Sequence, residues 1–274
     1  MLPAAFDYVR ATSIDEAVAL LAEHGDDAKL LAGGHSLLPL MKLRLASPAV
    51  LVDVGRIGAL SYVRDAGDHV AVGALTRHHD VEHDPLLRAE VPLLAHVAGL
   101  VGDPQVRHRG TLGGSLAHAD PASDLPAALL ALDATLVARG PGGQRTIPVR
   151  KFFTGFLETA LDPAEMLTEV RVPKMAGAGW SYQKFTRRAI DWAIVGVAAV
   201  HNGTTGVALV NMGPTPHRAA AVEAAVGAGA GAADAAAVAA DGTEPPTDLN
   251  AGPDFRRHLA RVLVRRALEE AGVS

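Results

Sequence analysis

Lys29-Leu30-Leu31-Ala32-Gly33-Gly34-His35-Ser36-Leu37-Leu38 reads as a strand that stops at paired glycines, followed by a polar pair and an apolar helix-like segment. Gly33 and Gly34 lack a Cβ and tolerate positive φ, so a ligand can approach bare backbone N–H groups there. Successive N–H groups of this kind form a nest that favours anions, and a following helix start adds to it. A second diglycine stretch, Arg109-Gly110-Thr111-Leu112-Gly113-Gly114-Ser115, repeats the pattern. Two such turns in one chain suggest that backbone holds both ends of a phosphate linkage. Neither stretch fits G-x-G-x-x-G or the P-loop pattern, which removes the main support for a Rossmann dinucleotide site or a nucleoside triphosphatase.

Around these stretches the chain alternates strand and helix. Phe6–Arg10 reads as a strand, and Ser13-Ile14-Asp15-Glu16 as a capping box opening a helix that Gly25 closes. Ala28–Leu31 and Val50–Val54 read as strands, with a short helix from Leu37 to Leu43 between them. Asp65-Ala66-Gly67-Asp68 makes a hairpin between strands at 61–64 and 69–72. Thr76 is expected to cap a helix running to Asp84, and Pro92–Val101 to form another. An Ala/Leu helix to Leu132 follows Pro121, strands flank Gly140-Pro141-Gly142-Gly143, and Met166–Val172 is a strand stopped by Pro173.

Met175-Ala176-Gly177-Ala178-Gly179 is small and uncharged, which makes it the expected boundary between residues 1–176 and 177–274. Beyond it, Trp180–Phe185, Ala193–Val200 and Val207–Asn211 form an antiparallel meander. Short helices are expected in Pro216–Ala240. Asp254–Ala271 is a terminal helix with Phe255, Leu259, Val262, Leu263 and Leu268 near helical spacing.

Composition narrows the function classes. Apolar residues make up 49% of the 274, enough for real cores, and aromatics only 4%. The net charge of −5 argues against nucleic acid as partner, because phosphate backbones are bound by excess Lys and Arg. The absence of cysteine excludes disulfides, iron–sulfur clusters and thiolate zinc sites within this chain. No signal peptide is apparent at Met1-Leu2-Pro3-Ala4-Ala5-Phe6, and no uncharged apolar run reaches membrane-span length, so a cytoplasmic protein is expected.

Ala32-Gly33-Gly34-His35-Ser36-Leu37-Leu38-Pro39 and Thr111-Leu112-Gly113-Gly114-Ser115-Leu116-Ala117-His118-Ala119-Asp120-Pro121 resemble the two flavin signatures of one family. That family is the FAD-binding medium subunit of molybdenum hydroxylases, the carbon monoxide dehydrogenase and xanthine dehydrogenase group. Tyr182-Gln183-Lys184, Asp191-Trp192-Ala193 and Phe255-Arg256-Arg257-His258-Leu259 resemble its C-terminal part, so the likeness spans nearly the whole chain. Leu112 departs from a frequent isoleucine, a nearly volume-neutral exchange.

The resemblance implies an α+β fold: a two-subdomain, PCMH-type FAD-binding domain, then a small C-terminal domain of antiparallel sheet plus helices. It also implies FAD as cofactor. Ala32, Gly33, Gly34, His35, Ser36 and Leu37, with Thr111, Leu112, Gly113, Gly114 and Ser115, would hold the pyrophosphate. Asp124 would accept hydrogen bonds from FAD hydroxyls, a role compatible with a carboxylate at a helix start. Leu167 would pack near the cofactor, Lys184 would sit at the flavin end, and Trp192 and Val101 would flank the isoalloxazine ring.

The implied partners are a molybdopterin-binding large subunit and a [2Fe-2S] small subunit, assembled as a dimer of heterotrimers, with an external electron acceptor. No residue of this chain would then act as a substrate acid or base. Two other readings remain: a self-sufficient flavin oxidoreductase, and a non-catalytic nucleotide-binding relic. The first needs a larger substrate domain than the residues after Gly177 supply; intact glycine turns and Asp124 argue against the second.

Other polar groups carry less. His78, His79 and His83 have spacings a metal can use, but a solvated helix face is the expectation, with no metal. His118 and Asp120 lie within the flavin signature. Arg256, Arg257, Arg261, Arg265 and Arg266 form a basic stripe, expected to face solvent or a subunit rather than nucleic acid.

Overall fold

The computed structural model describes residues 2–274. The N-terminal layer is a three-stranded parallel sheet. Strand β1 (Asp7–Arg10) leads through helix α1 (Ile14–His24) to β2 (Ala28–Leu31), and α2 (Leu37–Lys42) carries the chain on to β3 (Val50–Asp53). β3 lies in the centre, paired with both neighbours. The Ser13 hydroxyl caps α1 by accepting the Glu16 N–H at 3.1 Å. Glu16 reaches back to the Thr12 N–H at 2.7 Å, closing the box one residue earlier than the motif usually does. Ala17, Val18 and Leu21 are buried with Val50 and Val52 in a core of their own.

The middle of the chain builds a five-stranded antiparallel sheet. Its edge hairpin is β4 (Val63–Asp65) and β5 (His69–Gly73), and a run of helices follows: α3 (His78–His83), α4 (Pro85–Glu90), α5 (Pro92–Gly99), α6 (Pro104–Arg107) and α7 (Leu112–His118). Then come α8 (Asp124–Ala131), the hairpin β6 (Thr135–Gly140) and β7 (Gly143–Pro148), the small ribbon β8 (Phe153–Gly155) and β9 (Glu158–Thr159), and β10 (Met166–Pro173). The order is β4-β5-β10-β6-β7, so β10 closes the sheet between the two hairpins.

The last part is the expected meander, β11 (Gly179–Phe185), β12 (Val195–His201) and β13 (Thr205–Val210), extended by β14 (His217–Arg218). It is covered by α9 (Ala220–Gly227), α10 (Ala232–Ala237) and α11 (Pro253–Glu270). Every residue of α8 is buried, as a helix apolar on all sides must be. It lies in one continuous core with residues of β6, β10, β12 and β13. No helix among the described residues is long and apolar enough to cross a membrane.

Three expectations are corrected. Thr76 does not cap a helix; its hydroxyl exchanges hydrogen bonds with the Tyr62 backbone, and α3 begins at His78. The end expected for that helix is borne out: α3 stops at Asp84, which turns to cap α4 through the Leu86 and Leu87 N–H groups with Pro85 at the first position. In α11, Phe255 faces solvent while Ala260, Val264 and Ala267 join Leu259, Leu263 and Leu268 in the buried stripe. Arg256 leaves the basic stripe altogether. It is fully buried, paired with Asp248 at 2.6 Å and donating to the Ile194 carbonyl.

Candidate functional site

The first diglycine stretch sits at the carboxyl end of β2, where ligands gather in open parallel sheets. Gly34 has φ +80°, and a Cβ there would press on Leu38 at 2.9 Å. Gly33 is bare for a different reason: its Cβ would meet the Arg109 carbonyl oxygen at 2.3 Å. The two sequence motifs are therefore in backbone contact. Among the described residues, the amides of Gly33, Gly34, His35 and Ser36 donate to no protein acceptor. Ser36 precedes α2 without capping it, which leaves its hydroxyl free as well.

The second diglycine stretch does something else. It is not a turn: Thr111 is the N-cap of α7, and Gly113 and Gly114 lie inside its first turn. Its amides are taken. Leu112 donates to the Thr76 carbonyl at 3.0 Å, Gly113 to that of Ala74 at 2.8 Å, Gly114 to the Thr111 hydroxyl at 3.2 Å and Ser115 to the Thr111 carbonyl at 3.0 Å. Gly113 is required by packing, since a Cβ would lie 2.6 Å from the Ala74 methyl. The paired bare-amide turns expected from the sequence reduce to one, with the second motif serving as its backing.

A cleft of about 190 Å³ opens beside the first loop. Its walls are Leu31, Ala32, Gly33 and Leu38, the end of β3 at Asp53 and Gly55, and the side chains of Arg56, Arg77 and Arg109. None of these arginines has an ion-pair partner among the described residues. Arg77 donates to the Arg109 carbonyl, and burial, then the Arg109 charge, pushes its guanidinium below the usual arginine range. The cleft wall sets three guanidiniums against the one carboxylate of Asp53, an excess of like charge that is unfavourable until an anion arrives. Four free amides and three guanidiniums without a salt-bridge partner, of which Arg77 holds the Arg109 carbonyl, fit the diphosphate of a dinucleotide. The arginines escaped the sequence reading because they come from three separate segments; only the fold assembles them.

Behind the second motif, His78 packs against Gly110, leaving no room for a Cβ there. Burial, followed by the Arg77 charge, lowers the His78 imidazole to about 4, so it is neutral at pH 7. His118 and Asp120 stand 4.0 Å apart across the left-handed Ala119, and burial lowers the His118 imidazole.

Three further sequence candidates come together. Asp124, at the start of α8, is buried and receives the Tyr182 hydroxyl on Oδ1 and the Lys184 ammonium on Oδ2 at 2.8 Å. Lys184 also donates to the Leu100 carbonyl at 3.2 Å, next to Val101. Burial raises the Asp124 carboxyl, partly offset by Lys184 and Tyr182, and burial drives the Tyr182 phenol well above its ordinary value. Both carboxylate oxygens are thus engaged by protein donors, and only their second lone pairs are open to a ligand hydroxyl.

Trp192 stands apart, 59% exposed, beside the equally bare Ile190. The strand-side leg of its loop is pinned: the Ala193 carbonyl accepts from Asn211 at 2.9 Å and the Ile194 carbonyl from Arg256. Leu167 is a core residue of β10 opposite Ala138 and does not line the cleft, and Leu112 is likewise buried.

Residues 4–175 match the family described as the FAD binding domain in molybdopterin dehydrogenase. Residues 180–271 match the CO dehydrogenase flavoprotein C-terminal domain. The chain is 44% identical to the carbon monoxide dehydrogenase medium chain of Hydrogenophaga pseudoflava, over 99% of this chain and 98% of the relative. It is 37% identical to the glyceraldehyde dehydrogenase medium chain of Sulfolobus acidocaldarius, over 98% and 99%. The solved carbon monoxide dehydrogenase of Hydrogenophaga pseudoflava superposes with a TM-score of 0.94, covering 99% of this chain and 98% of that one.

Proposed function

Because the chain belongs to the family of FAD-binding medium subunits of molybdenum hydroxylases, oxidoreductase subunits that bind FAD, we propose that it relays electrons from a partner to an external acceptor. The donor in this reading is a pair of [2Fe-2S] clusters in a small subunit, fed by a molybdopterin-binding large subunit, in a cytoplasmic dimer of heterotrimers. The lack of cysteine requires any such cluster to lie in another chain. FAD supplies the redox chemistry at its isoalloxazine ring. This chain's residues bind, orient and shield, and none acts as a catalytic acid or base.

The observation that carries the reading is the cleft lined by Gly33, Arg56, Arg77 and Arg109, beside a loop whose amides from Gly33 to Ser36 donate to no protein acceptor among the described residues. In this assignment those groups hold the diphosphate, with Ala32 and Leu37 flanking the loop and the Thr111 and Ser115 hydroxyls as side contacts. Leu112, Gly113 and Gly114 support them. Asp124, Lys184 and Val101 border the flavin half, Trp192 offers its indole to the ring edge, and Leu167 packs behind. The domain division falls near residue 176, just before β11.

Reconstitution with a molybdopterin subunit and an iron–sulfur subunit tests this. Carbon monoxide, an aldehyde, a purine and an N-heterocycle are supplied in turn, and the flavin absorbance near 450 nm is followed. The expected result is bleaching by one of them only when the iron–sulfur subunit is present. Bleaching without that subunit, or by direct turnover on the isolated chain, overturns the relay.

A further inference from the structure

The sequence favours a solvated face for the histidines of α3, but the fold adds a fourth group to them from a different element. His79, Glu82 and His83 occupy positions i, i+3 and i+4, one face of the helix. Their ligand atoms lie within 4.8 Å of one another. His108, which follows α6, brings its ring to 4.2 Å from that of His79, while His83 stands 4.3 Å away on α3 itself. Three imidazoles are thus gathered at a surface where His83 and His108 are exposed. We propose that His79, Glu82, His83 and His108 bind one divalent transition-metal ion of the zinc, cobalt or nickel class.

Several details suit a metal. The His83 Nδ1 lies 2.8 Å from the His79 carbonyl oxygen, which can only accept, so Nδ1 carries the proton and Nε2 presents its lone pair outward. That is the supporting contact which commonly orients a ligating imidazole. Glu82 is held by Arg107 at 2.9 Å, the residue directly before His108, and this pair fixes the α6 corner against α3. Because Glu82 shares its charge with Arg107, the imidazoles carry most of the affinity. Imidazole with carboxylate is a donor set for borderline metals rather than for calcium or magnesium. Tetrahedral ligands on zinc are separated by about 3.4 Å, from metal–nitrogen bonds of about 2.1 Å. The exposed His108 ring, which makes no hydrogen bond among the described residues, can move to close the remaining gap. His78 is not part of the group, being buried behind Gly110. A bound ion bridges α3 to the segment leading to Arg109, and so acts as a brace on the fold.

Untagged, FAD-loaded chain, stripped with chelator, is titrated with zinc by calorimetry and with cobalt by visible absorbance. One equivalent should bind, and zinc should raise the melting temperature. His79→Ala, His83→Ala and His108→Ala should each weaken zinc binding by about tenfold or more, with His258→Ala unchanged. The pair His79→Gln/His83→Gln, which preserves side-chain bulk, should abolish both binding and the thermal shift while leaving the flavin spectrum intact. No saturable single site, or full affinity retained in the double variant or in His108→Ala, overturns the proposal.

Discussion

The two diglycine stretches look alike in sequence and do opposite work. Gly33-Gly34 leaves a run of amides unspent, and the cleft beside it gathers three arginines against the one carboxylate of Asp53. Gly113-Gly114 spends every amide from 112 to 115 on its own fold, and its bareness lets α7 press against Ala74. A glycine pair therefore marks close approach, but not what becomes of its amides: beside Gly33, where the Arg109 carbonyl presses in, they stay unspent, and beside Gly113, where Ala74 does, they are spent on the fold. The distinction divides the site into groups held in reserve and groups already satisfied. Damage to the second kind should register as lost stability, and damage to the first as lost cofactor.

The largest effect belongs to a satisfied group. Lys184→Met strips the cation from the buried Asp124, and breaking such a pair costs about 3 kcal/mol. The sign with pH follows from the carboxyl, whose folded value is already raised by burial and rises further without Lys184. A raised acid binds its proton more readily folded than unfolded, so the penalty is full above the folded value and shrinks as pH falls towards the unfolded one. Thermal melts should show the gap between variant and parent narrowing from pH 7.5 to pH 5. Next comes Gly113→Ala, where the new methyl collides with Ala74; overpacking of this kind costs about 2 kcal/mol. Urea unfolding of the flavin-free chain reads it without interference from the cofactor. An unchanged midpoint would return Gly113 to the ligand-facing class.

How much was legible beforehand follows the same division. Strand β2 was readable to the residue, and α1 through its capping box, because hydrophobic period and local capping are written in contiguous residues. The meander was readable for the same reason. Helices α4 and α6 were not, since Asp84-Pro85 and Asp103-Pro104 each start a short helix of their own that hydrophobic spacing does not reveal. Arg256 read as part of a charged stripe, yet the fold supplies Asp248 and the Ile194 carbonyl to bury it. The anion cleft was half visible: the glycines announce themselves, whereas Arg56, Arg77 and Arg109 are ordinary surface arginines until three segments meet.

Arg77→Ala tests a reserve group. It removes a guanidinium that has no salt-bridge partner and whose protein hydrogen bond is to the Arg109 carbonyl, so the melting temperature of the flavin-free chain should fall by no more than about 4 °C. FAD affinity should fall by about 1.5 kcal/mol, or roughly tenfold. Equilibrium dialysis against FAD at two salt concentrations gives the readout. The parent's affinity should decline with salt more steeply than the variant's, because one screened charge contact is gone. Equal losses in stability and affinity would mean that Arg77 serves the Arg109 carbonyl rather than the diphosphate.

The smallest effects discriminate best, because they compare two hydroxyls in the same position relative to a helix. Thr111 caps α7 through its bond to the Gly114 amide, so Thr111→Ala should cost about 1 kcal/mol of stability. Ser36 stands in the equivalent place before α2 and makes no such bond. Ser36→Ala should therefore leave the urea midpoint of the flavin-free chain where it was, within a few tenths of a kcal/mol at most, and weaken FAD binding severalfold. Measuring both variants for both properties gives four numbers, and the assignment requires the stability loss and the main affinity loss to fall on different residues. If Ser36→Ala destabilises the empty chain as much as Thr111→Ala does, the first loop is a capped helix start like the second, and the contrast between them disappears.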